Sequence, residues 1–239
     1  MIVVADAHVS ETHNNVDPFF RMLSKISQTD QDVVFLGDIF ELWIGLQRYE
    51  DANHNRFVQW CRTEKGNRSI GFIEGNHEFY VAQRHKSAFD WCSSKSHLIE
   101  SQKLLFVHGD LINREDKNYL RFRALSKNPI AKWLVRWMPT GPEQVQKLKS
   151  KLKKTNQEFR LGLPKRAIQS FADEMFQKGI NKIMVGHFHE EFKIKNQDGK
   201  SLHVIPDWFT NQTVAVLVGE DVSIVPWEKL PEMVLSPVP

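Results

Sequence analysis

An α/β architecture with a helical insertion follows from three observations on this 239-residue sequence. Apolar runs at 2–5, 33–36, 70–73, 104–107 and 183–185 are short, β-branched and nearly uninterrupted, the pattern of strands buried on both faces. Each run leads into a polar motif: Asp6-Ala7-His8, Gly37-Asp38, Gly75-Asn76-His77-Glu78, His108-Gly109-Asp110 and Gly186-His187-Phe188-His189. Between the last two motifs, over 111–179, strand signals give way to helical periodicity punctuated by prolines.

The elements can be taken in order. Residues 9–30 hold a loop and a helix, since Phe19, Phe20, Leu23 and Ile26 take helical spacing after Asp17-Pro18. A helix over 51–65 sets Phe57, Trp60 and Cys61 on one side, a core-facing stripe rather than a cofactor box. In the insertion, Ile130, Trp133, Leu134, Trp137 and Met138 recur at helical spacing with Lys132 and Arg136 on the far side. Pro129 suits the first turn of that helix and Pro139 ends it. A helix is expected over 142–159, apolar at Val145, Leu148, Leu152 and Phe159 and cationic at Lys147, Lys149, Lys151, Lys153 and Lys154. Another should start at Pro164 and end near Gly179. Runs at 202–205, 213–218 and 222–225 read as meandering strands, the last two joined by the Gly219-Glu220-Asp221 turn. Asp207-Trp208 reads as structural support, and the tail 231–239 as a segment lying loosely on the surface.

Composition bounds the class. With 41% hydrophobic and 26% charged residues the chain is an ordinary globular protein, expected as one domain over 1–239 with an insertion at about 111–170. No apolar run approaches the roughly 18 residues that span a bilayer, and Met1 leads straight into the first strand, so a cytoplasmic location is expected. Cys61 and Cys92 form no C-x-x-C pair and are expected as reduced thiols. The net charge of +3 is segregated. Residues 111–170 hold fifteen Lys or Arg against four acids, a balance of +11 that leaves −8 for the rest. A basic insertion over an acidic body attracts an anionic substrate or an anionic membrane surface.

The motifs carry the chemistry. Asp, Asn and His donors without thiolates suit Mn²⁺, Fe²⁺, Mg²⁺ or Zn²⁺ and exclude a structural Cys-zinc site. Polar groups following every buried strand should gather at one edge of a sheet, where open α/β sheets bind ligands. Taken singly, a Gly-Asp is a turn and a buried His a core residue; five in order read as a dinuclear metallohydrolase.

In that order the motifs resemble the signature of the calcineurin-like metallophosphoesterase family. The resemblance implies a four-layer α-β-β-α sandwich and a role for each matching position. Asp6, His8 and His189 would hold one metal, Asn76, His108 and His187 the other, and Asp38 would bridge the two. His77 would be the general acid or transition-state stabiliser, a task suited to a side chain that exchanges protons near neutral pH. The stretch 37–45 and the run from His108 through Asp116, Tyr119, Phe122 and Arg123 are similar to the pyrophosphohydrolase group that cleaves UDP-2,3-diacylglucosamine in lipid A synthesis, over most of 1–218. That implies two Mn²⁺-type ions, a nucleotide-sugar lipid substrate and a peripheral position on the cytoplasmic membrane, with no nucleic-acid partner. Tyr119, Arg123, Lys154 and Asn156 are the candidate substrate contacts. The sequence departs from that group at two points: Gly75-Asn76-His77-Glu78 replaces Gly-Asn-Arg-Asp, and Phe188 replaces Thr. The histidine is the wider family's form. A nucleotide, cyclic nucleotide or nucleic-acid phosphodiester is the alternative substrate, opposed by the large apolar residues interleaved with the basic ones. A metal-free scaffold is excluded because all seven metal-binding positions and His77 are intact.

Overall fold

The computed structural model describes residues 1–139, 141, 143, 162–230 and 232. The helix expected over 142–159 apart from Glu143, with Lys154 and Asn156, and the tail apart from Glu232 lie outside them. Thirteen strands are described: β1 (Ile2–Val4), β2 (Val33–Phe35), β3 (Trp43–Ile44), β4 (Ile70–Ile73), β5 (Glu78–Phe79), β6 (Trp91–Ser93), β7 (Ser96–Ile99), β8 (Leu104–Val107), β9 (Lys182–Val185), β10 (Phe192–Lys195), β11 (Ser201–Val204), β12 (Thr213–Val218) and β13 (Asp221–Pro226). The α-helices are α1 (Val16–Ile26), α2 (Ala52–Glu64), α3 (Val81–Arg84), α4 (Lys117–Ser126), α5 (Pro129–Trp137), α6 (Lys165–Gln177) and α7 (Trp208–Asn211).

Alternation along the strands builds four layers. Ile2, Val4, Val33 and Phe35 pack with Phe19, Leu23 and Phe57 of α1 and α2. Their neighbours Val3, Ala5, Val34 and Leu36 face the other way and meet Leu104, Phe106 and Met184. On the far side Leu105, Val107, Ile183 and Val185 pack with Ile168, Ala172 and Phe176 of α6. Successive side chains of a strand point to opposite faces, so the three clusters are the three interfaces of an α-β-β-α sandwich.

The strands divide between a six-stranded sheet, ordered β13-β12-β1-β2-β4-β6, and a five-stranded sheet, ordered β10-β11-β9-β8-β7. This corrects the expectation of one sheet edge, because β1, β2 and β4 lie in the first sheet and β8 and β9 in the second. The motifs still converge. Parallel pairing within each sheet aligns the carboxyl ends of its motif strands, and the His187 N–H donates to Asp6 Oδ2 across the gap at 2.7 Å. The meander is corrected too. β11 pairs in parallel with β9 while β12 and β13 form a hairpin in the other sheet. The chain crosses between sheets at Asp207-Trp208, where Asp207 caps α7, Trp208 is fully buried, and the N–H groups of Trp208 and Phe209 donate to the Ala5 and Asp6 carbonyls.

Candidate metal centre

Strand ends turn abruptly at this site. Asp6, His8, Asp38, His187 and His189 all take positive φ, between 43° and 71°. Such backbone costs about 1–3 kcal/mol per non-glycine residue and persists where the surroundings over-determine it, chiefly at functional sites. The turn aims each side chain back toward its neighbours. The flanking glycines leave room: a Cβ at Gly75 would overlap the Asp38 carboxylate, and one at Gly37 would overlap His108 Nδ1.

Three groups of ligand atoms result, each with its members within 4.8 Å of one another: Asp6, His8 and His189; His8, Asp38 and His77; Asp38, His108 and His187. His189 Nε2 stands 3.4 Å from Asp6 Oδ1 and 3.4 Å from His8 Nε2. His108 Nε2 is 3.5 Å from Asp38 Oδ2 and 3.0 Å from Asn76 Oδ1. Asp38 belongs to two of the three groups, and His8 links the first group to the second. All seven expected ligand positions are therefore brought together.

Electrostatics prepare the donors. Burial raises the Asp38 carboxyl, but the nearby His77 and His108 outweigh it and hold Asp38 well below the usual carboxylate range. Burial opposes Asp6 in the same way and the adjacent His189 overcomes it. Burial and the neighbouring His77 push His8 down to about 4, and burial and His108 do the same for His187. Neutral imidazole and ionised carboxylate are the forms that bind metal. Burial opposes charge on His108, yet Asp38 overrides it and lifts His108 to about 10, a measure of the positive charge that carboxylate demands.

The sequence matches the calcineurin-like phosphoesterase family over residues 2–191. The chain belongs to that family. This phosphoesterase is a metal-dependent phosphoric-ester hydrolase, and the donor set fits divalent ions: Asp6 Oδ1 is buried without a hydrogen-bond partner among the described residues, and His8 turns Nε2 toward His189 and Asp38. The chain is similar to the UDP-2,3-diacylglucosamine hydrolase of Shewanella piezotolerans, 24% identical over 94% of this chain and 96% of that one. To the enzyme of the same name from Vibrio atlanticus it is 25% identical, over 91% and 93%.

In this phosphoesterase His77 is fixed by a bond of 2.6 Å between its Nδ1 and the Glu41 carbonyl. A carbonyl only accepts, so Nδ1 carries the proton and Nε2 faces the centre, 3.8 Å from Asp38 Oδ2. His108 is oriented likewise, donating from Nδ1 to the Leu36 carbonyl at 2.8 Å. Sequence reasoning gave Glu78 no role. Its buried carboxylate accepts the N–H groups of Gly75, Asp38 and Ile39 at 2.6–2.7 Å and so joins the second motif to the third. Burial, then Asp38, pushes Glu78 up to about 8. The signal was its place in the motif, unreadable without the backbone it serves. Tyr119 and Arg123 sit on α4 and both engage Asp110, Tyr119 through its hydroxyl at 2.7 Å and Arg123 through Nε.

Proposed function

We propose that this phosphoesterase hydrolyses the pyrophosphate of UDP-2,3-diacylglucosamine, releasing UMP and 2,3-diacylglucosamine 1-phosphate, with two Mn²⁺-type ions at the cytoplasmic face of the inner membrane. The observation that carries the substrate class is α5. Its Ile130, Trp133 and Trp137 are 70%, 61% and 66% exposed, and none of its residues is buried. Yet the helix is fastened at both ends. Tyr80 donates its hydroxyl to the carbonyl of Asn128, the N-cap of α5, at 3.2 Å, and Tyr49 donates to Val135 at 2.7 Å, while Arg48 reaches Pro139. A held helix with apolar side chains outward beside Lys132 and Arg136 has the composition of an interfacial helix, and contiguous apolar exposure of this kind marks a binding surface. No helix among the described residues is long and apolar enough to cross a membrane. The names of the relatives point to the same nucleotide-sugar lipid.

The residues divide the work. Asp6, His8 and His189 would hold one ion, Asn76, His108 and His187 the other, with Asp38 shared. Bound there, the ions would neutralise phosphoryl oxygens and lower the pKa of water. His77 turns Nε2 to the reacting phosphoryl group, where a protonated imidazole donates to developing negative charge. Asp38 stays ionised beside it.

The test is to incubate the purified Mn²⁺-loaded protein with UDP-2,3-diacylglucosamine and to analyse products by mass spectrometry, alongside a soluble cyclic nucleotide and a nitrophenyl phosphodiester. UMP with the lipid monophosphate, formed faster than either soluble ester is cleaved, is the expected result. Cleavage of the soluble esters alone would transfer the assignment to a nucleotide phosphodiesterase.

A further inference from the structure

We infer that α4 is a strut that positions the Asn76 and His108 half of the metal centre, and that Lys127 is the positioning residue for Asn76. The inference rests on the ligand assignment proposed above. Tyr119, Arg123 and Lys127, the last at the C-cap of α4, stand four residues apart, so they leave one face of the helix in a row.

All three end on loops that carry ligands. Lys127 Nζ donates to the Gly75 carbonyl at 2.6 Å and lies 3.7 Å from Glu74 Oε2, with its side chain only 11% exposed. The Gly75 carbonyl and the Asn76 nitrogen share one planar peptide unit, so that bond fixes the direction in which Asn76 leaves the backbone. On the other side, the Gly75 N–H is fixed by Glu78. Arg123 and Tyr119 close on Asp110, two residues beyond His108, and Arg123 also reaches the Ser94 carbonyl at 3.1 Å. The loop after β4 belongs to one sheet and the loop after β8 to the other. A single helical face therefore grips both, and the 3.0 Å approach of Asn76 Oδ1 to His108 Nε2 is set between them. Stability alone does not call for this arrangement, because well-packed apolar side chains commonly do as well as a buried ion pair. The opposite face of α4 leaves Phe122 and Leu125 exposed.

Lys127→Met tests the strut, together with the double variant Glu74→Gln, Lys127→Met, which removes the stranded carboxylate and so preserves folding. Mn²⁺ binding is followed by titration calorimetry, and turnover with a nitrophenyl phosphodiester. The first Mn²⁺ should bind as in the parent and the second about 10- to 100-fold more weakly, the usual cost of removing a group that orients a ligand. Turnover should fall at limiting Mn²⁺ and recover at saturation. Lys127→Arg, still able to donate to Gly75, should restore part of the affinity. A folded double variant with both affinities unchanged overturns the proposal, and so does equal weakening of both ions. A parent chain with one Mn²⁺ site removes the dinuclear reading itself, and that stoichiometry tells the two failures apart.

Discussion

His77 shows how much one hydrogen bond decides. With Nδ1 committed to the Glu41 carbonyl, only Nε2 is left for chemistry. His77→Ala should keep both metals and lose about 10² to 10⁴ in rate, the usual worth of a positioned acid-base group; metal analysis beside single-turnover kinetics checks this, and stoichiometric loss of metal would make His77 a ligand instead. Glu78→Gln offers a different reading of the same loop. One amide oxygen replaces a carboxylate that accepts three backbone N–H groups. A cost of about 1–3 kcal/mol in urea unfolding is expected for the donors left unsatisfied. The residues that cluster at the site were legible in sequence because Asp, Asn and His at strand ends are chosen for their own side-chain chemistry. Glu78 and Lys127 were not, because each acts on backbone groups that only the folded chain brings near.

Elements are joined by contacts of the same hidden kind. Arg68 is nearly enclosed between the end of α1 and α2, pairing with Glu64 at 2.8 Å and donating to the Ile26, Thr29 and Gln31 carbonyls. It satisfies carbonyls that the end of α1 leaves without helical partners. Arg68→Ala should cost about 3–5 kcal/mol through the uncompensated Glu64 and leave turnover of the folded fraction unchanged. In β11, burial and then Lys193 and Lys182 push His203 down to about 4. The unfolded chain takes up that proton near pH 6.5, so the contribution of His203 is fully present above about 6.5 and is lost as pH falls toward 4. His203→Asn should flatten the fall in melting temperature across that window; an unchanged slope would remove His203 as its source. Helices α1, α2, α5 and α6 were readable from their period and the motif strands from their apolar runs, whereas α4 was not read from the sequence. Their division into two sheets was not, since strands buried on both faces carry no mark of which partner sheet they join.

At the scale of the molecule, the charge pattern sets a basic insertion against an acidic body, and α5 presents its tryptophans outward from a helix held at both ends. Replacing Trp133 and Trp137 by Ser should weaken binding to anionic liposomes and slow hydrolysis of the lipid substrate, with a nitrophenyl phosphodiester cleaved at the parent rate. Equal lipid activity in variant and parent would reject the membrane role. The central claim is the shared carboxylate: two ions would be held across Asp38, which belongs with His8 and His77 on one side and with His108 and His187 on the other. It is tested most directly by counting Mn²⁺ per chain and measuring phosphodiester turnover in Asp38→Ala beside His8→Ala and Asn76→Ala. The parent should bind two ions, and Asp38→Ala should lose more metal and more activity than either single-ligand variant. Two tightly bound ions and near-parent turnover in Asp38→Ala would contradict the account.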